Sequence, residues 1–233
     1  MQKKIIVLAI AAALTAPAVA LADAANVTPY GGANMSVDRI TTGANLAGDS
    51  GTSKLVVNSN QTFFGLKGSE DLDGGMTAVW QIESLVQIDS AGGTLATRNS
   101  FLGLKGGAGT VLLGRHDTPY KMSTRKLDVF ADGLADNRSL MGYGSKASFD
   151  GRQPDVLAYV SPTFSGVTAV IARVNLAEGN TASTAKQNTA MSMAAMYGSG
   201  PIYASLAYET HSFDAGVYAA ASTSEKATKL SVG

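Results

Sequence analysis

Cysteine is absent from the 233 residues, which excludes a disulfide-stapled scaffold and leaves an exported chain to hold together by hydrogen-bond closure, a large core or oligomerisation. Proline is scarce at 6, which suits strands whose backbone donors are all in use. Only two histidines occur, His116 and His211, and they fit no metal-ligand spacing. There is no excess of either charge. The 18 bases balance the 18 acids, and loss of Lys3 and Lys4 with a leader would leave the remainder near −2, so nucleic acid is not an expected partner. After the N-terminal segment, no apolar run approaches the roughly 20 residues that cross a bilayer as a helix.

What is present begins with an export signal. Lys3 and Lys4 form a basic patch, Ile5 to Leu14 an apolar run, and Ala18, Val19, Ala20, Leu21 and Ala22 a small-residue exit. Cleavage is expected after Ala22, where Ala20 and Ala22 supply the A-x-A pair, although Ala18 and Ala20 would serve nearly as well. The reading is a signal peptide over 1–22 and an exported domain over 23–233.

That domain alternates. From Met76 to Asp89, the residues Met76, Ala78, Trp80, Ile82, Val86 and Ile88 share one face, while Thr77, Gln81, Glu83, Gln87 and Asp89 share the other with Val79 and Leu85. A strand of that length would measure about 45 Å, long for a soluble sheet and suited to a tilted membrane wall. Ile202, Ala204, Leu206 and Tyr208 likewise oppose Ser205, Glu209 and His211. Val167 to Leu176 is looser, with Val170, Ala172 and Val174 opposite Arg173 and Asn175, and Arg173 is expected to line a wide part of a lumen. Leu55 to Lys67 and Ala96 to Lys105 are also strand-like, and about ten strands are expected in all. With 26 glycines to make turns, this predicts an all-β chain, a transmembrane antiparallel β-barrel in which only every second residue meets lipid.

An internal echo supports repeated hairpins. Phe63-Phe64-Gly65-Leu66-Lys67-Gly68 recurs as Phe101-Leu102-Gly103-Leu104-Lys105-Gly106, and each copy runs into a short Gly-rich turn. By contrast, residues 116–154 are long and irregular, and a loop of that size is usually functional. Thr41 to Ser53 and Glu178 to Gln187 look like lesser loops on the same side.

Several motifs together resemble the general porins of Gram-negative bacteria, most closely the betaproteobacterial type. They are Asn26-Val27-Thr28-Pro29-Tyr30-Gly31, Phe64-Gly65-Leu66-Lys67-Gly68-Ser69-Glu70-Asp71-Leu72, Leu113-Gly114-Arg115 with Thr118-Pro119, and Arg152 followed by Asp155, Tyr159, Ser161, Pro162, Phe164, Ser165 and Gly166. The resemblance implies an antiparallel barrel of about 16 strands. It also implies a homotrimer in the outer membrane, among lipid and lipopolysaccharide, with its third outer loop folded inward as a constriction. That loop would be 116–154. The wall bases facing it would be Arg98, Arg115 and Arg152, with Arg138 added from the distal loop.

Three departures from the family accompany the resemblance. Phe63 stands where many relatives carry an arginine, which removes a charge from the basic ladder. Strict alternation would put Arg115 on the face of Val111 and Leu113, so either a bulge intervenes or the strand ends there. The chain stops at Leu230-Ser231-Val232-Gly233 without the family's aromatic-terminated last strand, so a C-terminally truncated fragment is expected, whose open edges would prevent a stable pore.

The function expected is passive diffusion of small hydrophilic solutes and ions, without cofactor, metal or reaction. Asp128, Asp132 and Asp136 recur every four residues, a spacing that would align them on one face of a short helix. Facing Arg98, Arg115 and Arg152, they would set up a transverse field; otherwise they are a solvated loop face. Trp80, Tyr197, Tyr203 and Tyr208 fit either interfacial girdles or subunit contacts. The alternative function is a non-channel surface barrel or adhesin binding a partner through the long loop. It needs Asp128 to Asp136 exposed, where a channel needs them in the lumen. A hydrolase would need His116 beside a nucleophile, yet there is no G-x-S-x-G elbow, G-x-G-x-x-G loop or Walker lysine.

Overall fold

In a computed structural model the described residues are 26–42, 51–90, 94–133, 135–145, 147–176, 188–215 and 222–233. The expected leader over 1–22 lies outside them, as does most of both lesser loops. The strands are β1 (Asn26–Gly32), β2 (Met35–Thr42), β3 (Thr52–Ser59), β4 (Phe63–Leu72), β5 (Met76–Leu85), β6 (Ser100–Gly106), β7 (Gly109–Asp117), β8 (Arg152–Val160), β9 (Val167–Asn175), β10 (Thr189–Ser199), β11 (Ile202–Phe213) and β12 (Thr223–Val232). Two helical turns, α1 (Pro119–Met122) and α2 (Arg138–Met141), lie between β7 and β8.

Ten strands form one antiparallel sheet in the order β1-β4-β5-β6-β7-β8-β9-β10-β11-β12, and β2 pairs with β3. The smaller pair continues the β1–β4 hairpin beyond a break. Gly32 pairs with Phe63 on one side of it and Met35 with Ser59 on the other. At the break Gln61 takes a positive φ of 58°, and the Thr62 hydroxyl bonds both the N–H and the carbonyl of Asn34. Leu55 to Lys67 is therefore two strands instead of one. Two other expected strands are shorter than their alternation implied. β5 stops at Leu85, where the Thr97 hydroxyl takes the backbone N–H, and β6 starts only at Ser100, beyond a positive φ at Ala96.

The sheet has two unlike faces because paired residues point the same way. One face carries rows of exposed or half-buried apolar side chains. Leu102 pairs with Leu113 and Leu113 with Leu157; Tyr159 pairs with Ile171, Ile171 with Met193 and Met193 with Tyr208. Contiguous apolar surface of that extent is what a lipid-facing wall requires. The other face is lined between β8 and β11 by small buried residues: Ala158, Ala172, Ala190, Ala194 and Ala207, with Ser192 and Ser205. Their size leaves room for the chain between β7 and β8, which packs there.

Arg173 belongs to the lipid-side face, paired with Leu157 and Met191, so the expectation that it lines the lumen is corrected. Both faces of β9 are apolar, and Val170, Ala172 and Val174 are the buried inner set. Tyr203 is corrected too, because it lies on the inner face with its hydroxyl donating to the Ser123 carbonyl at 2.7 Å. Trp80, Tyr197 and Tyr208 stay on the outer face.

Candidate functional site

The site is built from the inner wall and the chain of residues 118–151 between β7 and β8. Thr118 opens α1 by accepting the Lys121 N–H, and Pro119 presets the first turn. The segment then lies against β10, β11 and β12. The Tyr120 N–H donates to Ser192 Oγ at 3.0 Å, and the Ser205 hydroxyl donates to the Ser123 carbonyl at 2.7 Å. Lys229 Nζ donates to Asp150 Oδ1 at 2.8 Å, Thr124 Oγ1 at 3.1 Å and the Tyr120 carbonyl at 3.2 Å. Beside it Phe149 stacks on His211 with centroids 4.3 Å apart, and the His211 ring meets Glu209 at 2.8 Å. Tyr120, Phe149, Glu209, His211 and Lys229 are all buried, so the loop is held on the wall by a desolvated polar network.

A bulge interrupts the β7–β8 pairing at Arg115. The register shifts between Gly114 and His116, so Arg115 has no partner on β8, while on its other side it pairs with Ser100 of β6. Gly114 makes this possible: its φ is 138°, and a Cβ there would stand 2.5 Å from the Ser100 carbonyl oxygen. Arg115 Nε then donates to the Thr97 carbonyl at 3.0 Å.

The other wall bases are held by wall carboxylates. Arg98 forms a close ion pair with Glu83, reaches Gln61 Oε1 at 2.6 Å and sits 5.0 Å from the centre of the Phe63 ring. Tyr30 donates its hydroxyl to the same Glu83 at 2.8 Å. Arg152 Nε lies 3.0 Å from Asp117 Oδ1 and 2.7 Å from Asn99 Oδ1. Lys121 Nζ reaches the same Asp117 oxygen at 2.9 Å. Burial pushes the Lys121 ammonium below the usual lysine range, and Asp117 opposes part of that fall.

The loop aspartates do not form a helix face. Residues 129–132 form a turn, and Asp132 has a positive φ of 66°, which breaks helical geometry. Asp128 instead accepts the backbone N–H groups of Phe130 at 3.0 Å and Asn137 at 3.2 Å. Asp132 meets Arg125 at 2.5 Å and Arg138 at 3.4 Å; Asp136 meets Arg138 at 2.7 Å and Arg125 at 3.7 Å. Asp136 is half-desolvated, which alone would raise its pKa, but bonds from Arg138 and from the Asp132 N–H hold it well below the ordinary carboxylate range. Arg138 is raised by the same pair. Arg138 is thus a partner of the loop acids and not of the wall. His116 has no bonded hydroxyl among the described residues; its ring meets the Asp117 carbonyl at 2.8 Å and lies against Phe101.

A model of the Gram-negative porin family matches residues 8–233. The chain belongs to that family. Among curated relatives, the major outer membrane protein P.IB of Neisseria sicca is 32% identical over 159 residues, 67% of this chain and 44% of the relative. Major outer membrane protein P.IA of Neisseria meningitidis serogroup C is 34% identical over 167 residues, 68% of this chain and 42% of the relative. The chain therefore spans less than half the length of these relatives. The anion-selective porin from Comamonas acidovorans superposes with a TM-score of 0.72 at 26% identity, covering 89% of this chain and 63% of that one. The sheet is accordingly porin barrel wall, open between β1 and β12 among the described residues, and its compartment is the outer membrane.

Reasoning from this porin's sequence named the four arginines but missed their partners Glu83 and Asp117, and the anchors Asp150 and Lys229. Glu83 was legible as a carboxylate on the polar face of β5. Lys229 carried no signal, because only the distant β12–loop contact gives it a role.

Proposed function

We propose that the protein forms, as a homotrimer set in lipid and lipopolysaccharide, a water-filled channel for passive diffusion of small hydrophilic solutes and ions. No chemical step is involved. The observation that carries this reading is the burial of both ends of the loop, residues 118–124 and 149–150, against the inner face while the opposite face presents apolar rows. An adhesin would instead present that loop outward, and buried Thr118, Tyr120, Ser123 and Phe149 argue against it.

The pore-lining charges are Arg98, Arg115 and Arg152 on the wall, and Asp128, Asp132, Asp136 and Arg138 on the loop. Fixed charges beside low-dielectric walls focus the field on the axis. Among the described residues Arg98 and Arg152 are ion-paired, whereas Arg115 is held by a carbonyl and keeps its charge uncompensated. Asp128 on the loop meets only backbone N–H groups among the described residues, so it and Arg115 are the two unpaired charges of opposite sign that would set a transverse field.

The test is planar-bilayer conductance of the full-length protein under a salt gradient, with Asp128, Asp132 and Asp136 each changed to Asn. Stepwise triplet conductance with a reversal potential moved toward anions is expected. Absence of channels would sink the reading.

A further inference from the structure

On the short-turn side of the loop lies a recess of about 520 Å³, within the size range of small-molecule sites. It is enclosed between the α1 segment and the turn ends of β8 to β11, where Gly166 and Gly198 form part of its rim. We propose that this recess is a binding subsite for small carboxylates that carry an apolar body, entered by solutes after they pass the constriction. The proposal rests on the channel reading above and adds a class of solute to it.

Charge gives the sign of the ligand. Lys121, Arg125 and Lys126 line the recess against one carboxylate, Asp117, which is already engaged by Lys121 and Arg152. Arg125 answers Asp132 and Asp136, but neither of these lines the recess. Lys126 is exposed and has no carboxylate partner among the described residues; its Nζ sits 5.6 Å from the centre of the Tyr203 ring. A lysine over an aromatic face keeps N–H groups directed away from the ring, free to meet an anion.

The remaining lining gives the ligand its body. Met122, Met196 and the Tyr203 ring present apolar surface, and the Tyr203 hydroxyl is already committed to Ser123. The Thr163 and Thr168 hydroxyls bond each other at 2.8 Å. Whichever donates, the other hydroxyl hydrogen remains available to a second carboxylate oxygen. A bare inorganic anion would leave the methionine and tyrosine surface unused, and a neutral solute would leave Lys126 unanswered.

Benzoate is a suitable probe, titrated against chloride current through the full-length porin in planar bilayers. Benzyl alcohol supplies the body without the charge, and acetate the charge without the ring. Saturable reduction of the chloride current by benzoate is expected, with weaker effects from both controls. Lys126→Gln should raise the half-saturating benzoate concentration by about tenfold, the size of one charge-assisted hydrogen bond, while chloride steps persist. Met196→Ala should weaken benzoate but not acetate. Chloride steps with no saturable benzoate effect, or an effect untouched by Lys126→Gln, would overturn the subsite alone. Absence of chloride steps in the unmodified protein would overturn the channel and the subsite together.

Discussion

Lys229 is the side chain whose loss should most loosen the constriction loop. Its ammonium and the Asp150 carboxylate are 2% and 3% exposed, and the same nitrogen holds the Tyr120 carbonyl and Thr124 Oγ1. One atom of β12 therefore ties both ends of the loop to the wall. Lys229→Met keeps most of the stem but strips Asp150 of its ion-pair partner in a desolvated site. Removing one partner of a buried pair costs about 3–5 kcal/mol, which corresponds to roughly 100- to 1,000-fold or more in the docking equilibrium. Hydrogen exchange across 118–151 in the full-length protein should accelerate by that order, and open-channel noise should rise with it. The double variant Lys229→Met with Asp150→Asn should recover more than half of the loss, because no charge is left unpaired. Unchanged exchange in Lys229→Met, or a double variant as loose as the sum of the singles, would refute the tether.

Three other outcomes are expected. Gly65→Ala would place a Cβ 2.6 Å from the Tyr30 ring and dislodge its hydroxyl from Glu83, while Gly68→Ala would crowd Trp80 at 2.6 Å on the lipid face. Both should cost about 1–3 kcal/mol in melting experiments, but only Gly65→Ala should shift the reversal potential, through Arg98. Phe149→Ala removes a buried ring stacked on His211 and should cost about 3–5 kcal/mol, seen as faster loop exchange at constant barrel melting temperature. Asp136, whose folded pKa lies below its unfolded value of about 3.9, stabilises the loop fully above that pH and loses its contribution as pH falls toward the folded pKa. The exchange difference between the native protein and Asp136→Asn should therefore be flat from about pH 7 to 5 and shrink below about pH 4; a constant difference at pH 3 would count against it.

The wall was legible in the chain because strand alternation is local: Trp80 and Ile82 against Gln81 and Glu83, or Leu206 and Tyr208 against Glu209 and His211, need no partner to be read. Where both faces are apolar, as in β9, alternation names the two sets but not which one is inside. Arg173 went to the wrong face for that reason. The four-residue spacing of Asp128, Asp132 and Asp136 suggested a helix, but short-range bonds to Arg125, Arg138 and backbone N–H groups stabilise turns instead. Sequence alone determined the all-β class, the alternating wall and the family; it expected about ten strands where the described residues form twelve, and left bulge or strand end open at Arg115. Only the tertiary structure decided which carboxylate neutralises which arginine and what holds the loop, because those contacts join residues separated by as many as 109 positions, and no local pattern encodes them.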